Sequence, residues 1–373
     1  MTSAEKMRAF YAMTPGAPVF AREFGFATLD RWIAEGHLQP YDAVPDYGAY
    51  LRELFGYDLP GVVGLGGAGW CEAAFCPAYE VEVLEDRGAH ELVRDTAGRK
   101  VLYFKNRRSG FMPEYVDHPV HNMGDWQRDV AWRLDPAAPG RLAQLDAERI
   151  YAVAAVEPGA PVFQACIGGY MYLRSLIGPE ELFYKFYDEP ELIHACMQAW
   201  LAVSDAVIAH HQTMLAIDEL SFGEDICYKN GCLISPDMMR EFLLPYYQQL
   251  VQNTKRRNPP GHRLHVQIDT DGYCHDVIPL YLGMGMDYMS PFEVAAGSDI
   301  LWVAEKYPNL LLSGGFDKRI LAATPDAIDR EIDRVVVPLV RRGGYIPTSD
   351  HDVPWEVPFA NYAHYRKRMA QFS

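Results

Sequence analysis

Several things are scarce in this chain, and each scarcity excludes something. The seven cysteines, Cys71, Cys76, Cys166, Cys196, Cys227, Cys232 and Cys274, are odd in number and contain no CxxC pair. That spacing speaks against both a disulfide framework and a zinc ribbon, and the compartment expected from it is a reducing cytoplasm. Basic residues are short as well: 34 Lys and Arg face 50 Asp and Glu, a net charge of −16. Tight binding to nucleic acid or to an anionic membrane face is therefore not expected, and a highly carboxylated substrate would need locally concentrated cations. No uninterrupted apolar run reaches the ~20 residues that span a bilayer, and the opening MTSAEKMRAFYAM has no apolar signal core. Low-complexity tracts and matching internal repeats are lacking too.

What is present is enough apolar material for a large core, 49% of 373 residues. The length suits one generous barrel or two ordinary domains, and one domain over 1–373 is the simpler reading. Periodicity predicts a helix over 3–13, a short strand at 18–20 and a further helix in FATLDRWIAEGHL. Residues 79–105 alternate apolar and polar positions around Asp86-Arg87-Gly88 and Thr96-Ala97-Gly98-Arg99, the pattern of a β-hairpin insertion. From residue 148 onward, short apolar segments alternate with amphipathic stretches, the rhythm of successive βα units on a parallel sheet. Strands are expected at 150–156, 219–222, 263–268, 288–290, 310–313 and 345–348. Ser235-Pro236-Asp237 and Thr324-Pro325-Asp326 read as helix openings, each with a capping hydroxyl before a first-turn proline. The fold class expected is α/β, a single (β/α)8 TIM barrel carrying the 79–105 hairpin.

In such a barrel the active site lies where the strands end at their C-termini. The residues there are Glu224 and Asp225, then Asp269 and Asp271, then Glu293, then Asp317 and Lys318, and last Asp350-His351-Asp352. Five consecutive strand ends with carboxylates exceed what solubility requires. Asp269 and Asp271, at i and i+2, point to one side and can face one ion or one substrate group, although DTDG by itself is equally an Asx-turn. His351 is the leading catalytic candidate, since a neighbouring carboxylate can orient an imidazole and raise its pKa. Glu224 or Asp225 can serve as general base, with Tyr228 and Lys229 beside them. Tyr170 and Arg174 follow the pair Gly168-Gly169, where the backbone is open to a ligand. Lys318 either binds an anion or pairs with Asp317. His265 reads as a packed or supporting residue inside its strand.

The runs SFGEDICYKNGCLISPDMMREFLLPYY, HVQIDTDGYCHDVIPLYLGMGMDYMSPFEVAAGSDI, LLLSGGFDKRILAATPDAIDREI and GGYIPTSDHDVPWEVPFANYAHYRKRM resemble the uroporphyrinogen decarboxylase superfamily. APVFAREFGFATLDRWIAEG and FMPEYVDHPVHNMGDW extend the likeness over essentially the whole chain, and its closest subgroup includes corrinoid-linked methyltransferases. The decarboxylases' PVWxMRQAGR motif corresponds to PVFAREFGF, with the single arginine Arg22. Their late Gly-His-Gly is similar to Asp350-His351-Asp352. The zinc methyltransferases' His-x-Cys pair falls on Asp269 and Asp271, and their distant Cys falls on His351. The resemblance thus implies a hard O,O,N set in place of a thiolate site, suited to zinc, manganese or iron, or to no metal.

Three functions follow as expectations. The first is methyl transfer from an O- or N-methylated small molecule to a corrinoid on a partner protein, with His351 or a divalent metal assisting the leaving group. The second is a cofactor-free decarboxylase or lyase, in which His351, Asp271 and Tyr170 protonate a carbanion. The third is a non-catalytic binding barrel. Members of the superfamily often pair, which allows a homodimer.

Overall fold

The computed structural model describes residues 1–105 and 113–373; Phe111 and Met112 of the FMPEYV stretch lie outside them. Among the described residues, thirteen strands fall into three sheets. In chain order they are β1 (Val63–Ala68), β2 (Glu82–Arg87), β3 (His90–Arg94), β4 (Lys100–Phe104), β5 (Glu114–Asp117), β6 (Val162–Ile167), β7 (Glu219–Gly223), β8 (Cys227–Tyr228), β9 (Gly231–Cys232), β10 (His265–Thr270), β11 (Tyr288–Pro291), β12 (Leu311–Ser313) and β13 (Tyr345–Ile346). Seven of them form one sheet in the order β1-β6-β7-β10-β11-β12-β13. Every neighbouring pair in it is parallel. Because that order follows the chain, each connection carries one strand to the next, and helices supply most of the crossovers, as parallel strands require. The molecule is α/β.

Residues of β2 to β5 pair antiparallel in a separate four-stranded sheet, which extends past the expected 79–105 to Asp117. Its Val93 and Val101, opposite each other, are buried.

The two faces of the parallel sheet differ sharply. Leu220, Phe222, Val266, Ile268 and Met289 point to one face, where Phe222 meets the Tyr247 ring edge-on at 4.9 Å and Trp200 at 6.1 Å. Trp200 lies on the helix Pro190–Gln212 and Tyr247 on Leu244–Arg257. The first of these helices is long and apolar enough to cross a membrane, but here it buries Trp200, Val203 and Val207, and the Trp200 indole N–H donates to Ile167 O at 2.8 Å. The other face is polar. Glu219, Ser221, His265, Gln267, Asp269, Tyr288 and Ser290 share it by register.

Expected and observed elements differ in places. The strand expected at 150–156 is the end of the helix Pro139–Ala154, and the strand itself is β6. Alanine-rich YAVAAV satisfies both patterns over so short a window, and helix propensity decides. The expected 18–20 strand has no ladder, although Val19 N–H donates to Phe372 O at 2.8 Å. The first strand of the sheet is instead the glycine-rich β1. The helix expected over 3–13 runs Ser3–Tyr11, closed at its start by a Thr2–Glu5 capping box. Ser235 and Thr324 cap as expected, accepting from Met238 N–H and Ala327 N–H.

Residues far apart in sequence are joined beside the last strand. Phe26 bridges Val353 in parallel; Ala27 N–H donates to Val353 O at 3.0 Å and Val353 N–H to Gly25 O at 2.9 Å. A Cβ at Gly25 would lie 1.9 Å from Asp352 Oδ1, so glycine leaves the Asp352 carboxylate its place against the neighbouring segment.

Candidate active site

The C-terminal ends of β6, β7, β10, β11, β12 and β13 bring most of the expected residues to one rim, with Tyr170, Glu224 and Asp269 set inward of it. At its centre, His351 Nε2 lies 3.5 Å from Asp271 Oδ2, and both side chains are about one-third exposed, 33% and 36%. Asp352 N–H donates to His351 Nδ1 at 2.7 Å. A peptide N–H can only donate, so Nδ1 accepts, and neutral His351 carries its proton on Nε2, facing Asp271. The hydrogen bond to Asp271 raises the imidazole pKa, against the pull of burial. On the ring's other flank, Phe24 lies 4.8 Å away, centroid to centroid.

The carboxylate that orients His351 is thus Asp271, not its chain neighbours. Asp350 is fully buried and ties adjacent loops together, accepting from Lys318 N–H at 2.9 Å and Val294 N–H at 2.8 Å. Glu293 accepts from Gly272 N–H at 3.0 Å and pairs with Lys318 Nζ at 3.2 Å. Lys318 therefore does not pair with Asp317. That acid caps the short helix after it and is held by Arg319, which binds both its oxygens and keeps it below the usual carboxylate range despite burial.

Asp225 follows β7 with φ +44°, a left-handed turn that aims its carboxylate at Arg174, 3.2 Å away. Burial and the nearby Asp271 raise its pKa. Asp269 sits within β10 on the polar face. It accepts from the Ser290 hydroxyl, which accepts from Gln267 Nε2 at 2.8 Å, while Gln267 Oε1 accepts from Ser221 at 2.6 Å. All three donors point toward Asp269, so each bond polarises the next. Burial, then the Asp271 and Asp225 charges, oppose ionisation and push Asp269 to about 6.

Glu224 lies behind the rim, wholly buried. Its carboxylate accepts from the Tyr247 hydroxyl, from Tyr281 at 2.9 Å and from Tyr170 N–H at 3.3 Å, and burial raises it to about 7. A Cβ at Gly168 would strike Glu224 Oε2 at 1.8 Å, so the open backbone there admits this side chain. Tyr170 is likewise buried, its hydroxyl pKa raised by desolvation. Tyr228 and Lys229 are exposed on the β8–β9 hairpin, packed beside Gly272. His265 is nearly buried, stacked on Tyr11 at 4.5 Å and bonded to Asp287 at 2.9 Å.

Among the described residues no group of three His, Cys, Asp or Glu, Asp269, Asp271 and His351 included, is placed to hold an ion.

Three residues missing from the expected set shape the rim and the interior. Phe24 flanks His351, and Trp70 lies over Gly223, where a Cβ would meet its ring at 3.4 Å. Arg22 sends its charge inward, favouring the ionised forms of Asp269, Glu219 and Tyr288; its Nε is buried without a hydrogen-bond partner among the described residues. The PVFAREFGF stretch was the one signal for Arg22 and Phe24; Trp70 had none.

Comparison with known proteins now adds to this geometry. The uroporphyrinogen decarboxylase of Geobacter metallireducens is 27% identical over 136 residues, 36% of this chain and 37% of that protein. That of Geotalea daltonii is 28% identical over 136 residues, with the same shares. The alignments thus span little more than a third of these relatives' length. Among solved structures, a methyltransferase from Methanosarcina mazei superposes with a TM-score of 0.57 at 15% identity, covering 100% of this chain and 99% of that one, a likeness of fold. The uroporphyrinogen decarboxylase family model matches residues 112–372, well over half of the sequence, and the chain belongs to that family.

Proposed function

We propose that this chain is a methyl-transfer enzyme that demethylates a small O- or N-methylated molecule, the acceptor being a corrinoid on a partner protein. The observation that carries this is the His351 Nε2–H, fixed by the Asp352 peptide on one side and Asp271 on the other, at an open rim. When the methyl–heteroatom bond breaks, the electron pair stays on the heteroatom; His351, protonated as the imidazolium that Asp271 favours, delivers its Nε2 proton there and is left neutral. The corrinoid supplies the nucleophile that takes the methyl group. Asp271 stabilises that imidazolium, in which Nδ1 is protonated and gives up the Asp352 N–H, and the contact returns with the neutral ring; Arg174 holds Asp225 in place.

The exposed rings of Phe24, Trp70 and Tyr228 are the apolar surface on which a partner domain would seat. Its acids, Asp225, Asp271 and Glu293, suit a neutral or cationic substrate better than a polycarboxylate. The in-order parallel strands support closure into a single (β/α)8 barrel, with the β2–β5 sheet as an insertion near its mouth.

A second reading, decarboxylation, rests on Arg22, whose unpartnered Nε would meet a substrate carboxylate inside the sheet. The two are separated by incubating the protein with reduced cobalamin and panels of methylamines and methoxyarenes, following loss of the cob(I)alamin absorbance. Methyl transfer that falls ~10²-fold or more in His351→Ala is expected. No transfer from any donor, together with carbon dioxide release from carboxylated substrates, would replace it with the second reading.

A further inference from the structure

The β8–β9 hairpin carries a pair of thiols that the proposed chemistry does not use. All seven cysteines are free, and Cys227 and Cys232 are direct partners across this antiparallel pair. The neighbouring pair is hydrogen-bonded, Leu233 N–H donating to Ile226 O at 2.9 Å. By the alternation of antiparallel ladders, the Cys227–Cys232 pair is the non-hydrogen-bonded kind, whose Cα atoms lie ~4.5 Å apart. A disulfide accepts Cα separations of ~4.4–6.8 Å, so a bond between them needs little backbone movement.

The two sulfurs are not equivalent. The neighbouring Cys227 sulfur and the Ile234 N–H hold the Cys232 thiol below its usual range, whereas the same contact, then burial, pushes Cys227 up. Cys227 is buried, whereas Cys232 is half-buried and lines a cleft of ≈ 450 Å³ with Asn230, Ser235, Met239, Asp276 and Leu280. Met239 Sδ lies 3.8 Å from Cys232 Sγ, closing the cleft's inner wall with a second soft sulfur.

We propose that Cys232 and Cys227 form a hydroperoxide-reactive dithiol, with Cys232 the attacking sulfur and Cys227 the resolving one. The Cys232 thiolate attacks one peroxide oxygen and the O–O bond breaks. Water or an alcohol leaves with a proton, and the sulfur, oxidised by two electrons, becomes a sulfenic acid. Cys227 then attacks that sulfur; the S–S bond forms and a second water departs. The hairpin is anchored to the rim, since Thr270 Oγ1 accepts from Ile226 N–H and Cys227 N–H, and Tyr273 N–H donates to Tyr228 O at 2.9 Å. The disulfide therefore stiffens the wall beside Asp271.

The test uses the full-length wild-type chain. Peptide mass spectrometry follows iodoacetamide alkylation of each cysteine from pH 5 to 9, before and after one equivalent of hydrogen peroxide. Cys232 is expected to alkylate ~10-fold or more faster at pH 7 than the exposed Cys71, because the thiolate is the nucleophile. Peroxide should then yield a dithiothreitol-reversible Cys227–Cys232 peptide pair, and Cys227→Ser should stop at a dimedone-trapped sulfenic acid on Cys232. If Cys232 alkylates no faster than Cys71, or peroxide leaves Cys227 and Cys232 unlinked in the wild type, the proposal is overturned. Neither result depends on which reaction the rim catalyses.

Discussion

The two nitrogens of His351 have different tasks, and the geometry separates them. Nδ1 is occupied by a peptide N–H, so the movable proton belongs to Nε2, where Asp271 stands. Nitrogen-15 NMR of the imidazole is expected to show the Nε2–H tautomer in the neutral form. Asp271→Asn should lower the titration midpoint, since the carboxylate is what raises it. A midpoint unchanged by that substitution would remove Asp271 from the pair. The sequence places both residues at strand ends, where loop position alone suffices to nominate them. It leaves the partners of Asp317 and Lys318 open and looks for that of His351 along the chain, where adjacency is a poor guide: Asp317 turns to Arg319, while Lys318 reaches Glu293 on the preceding loop.

At the level of elements, the turn after β7 hangs on one side chain from β10. Thr270 Oγ1 accepts two buried peptide N–H groups, at 3.1 and 3.2 Å. Thr270→Val keeps the shape and removes the acceptor, and each orphaned donor costs ~1–3 kcal/mol. Urea unfolding should show a loss of that order or about twice it, largely restored by Thr270→Ser; an unchanged midpoint would mean that other acceptors take over. Strands such as β7, β11 and β12 are legible because apolar runs bounded by loop residues fit little else. β1 is hidden because Val-Gly-Leu-Gly-Gly-Ala lacks the β-branched alternation that marks a strand, and the sheet, not local propensity, makes it one.

Across the whole molecule, the polar face of the parallel sheet stores acids in a dry setting. Glu219, bonded by Tyr11 at 2.5 Å, is pushed by burial to about 8, above its ordinary 4.5. Asp269 follows on the same face at about 6, and Glu224, buried behind the rim, at about 7. For an acid whose folded pKa exceeds its unfolded one, the native state binds the extra proton. The stability this contributes is full below the unfolded value and is lost as pH rises through the folded one. Asp287 and Asp317 have depressed pKa values, so their opposite contribution falls at lower pH. The urea midpoint is therefore expected to decline from pH 5 to pH 8.5, and Glu219→Gln, which can still accept from Tyr11, should flatten that decline. A profile as steep in the variant as in the wild type would show that Glu219 is not its source.

The bridge between Phe26 and Val353 has a consequence during synthesis. A segment finished early must wait for its partner until more than three hundred further residues have been made, at ~5–20 residues per second a delay on the order of 15–60 s. Throughout that interval Phe24 and Phe26 have no His351 loop to pack on. The nascent chain offers chaperones an exposed aromatic segment, and His351 acquires its Phe24 wall only after more than three hundred further residues have been made.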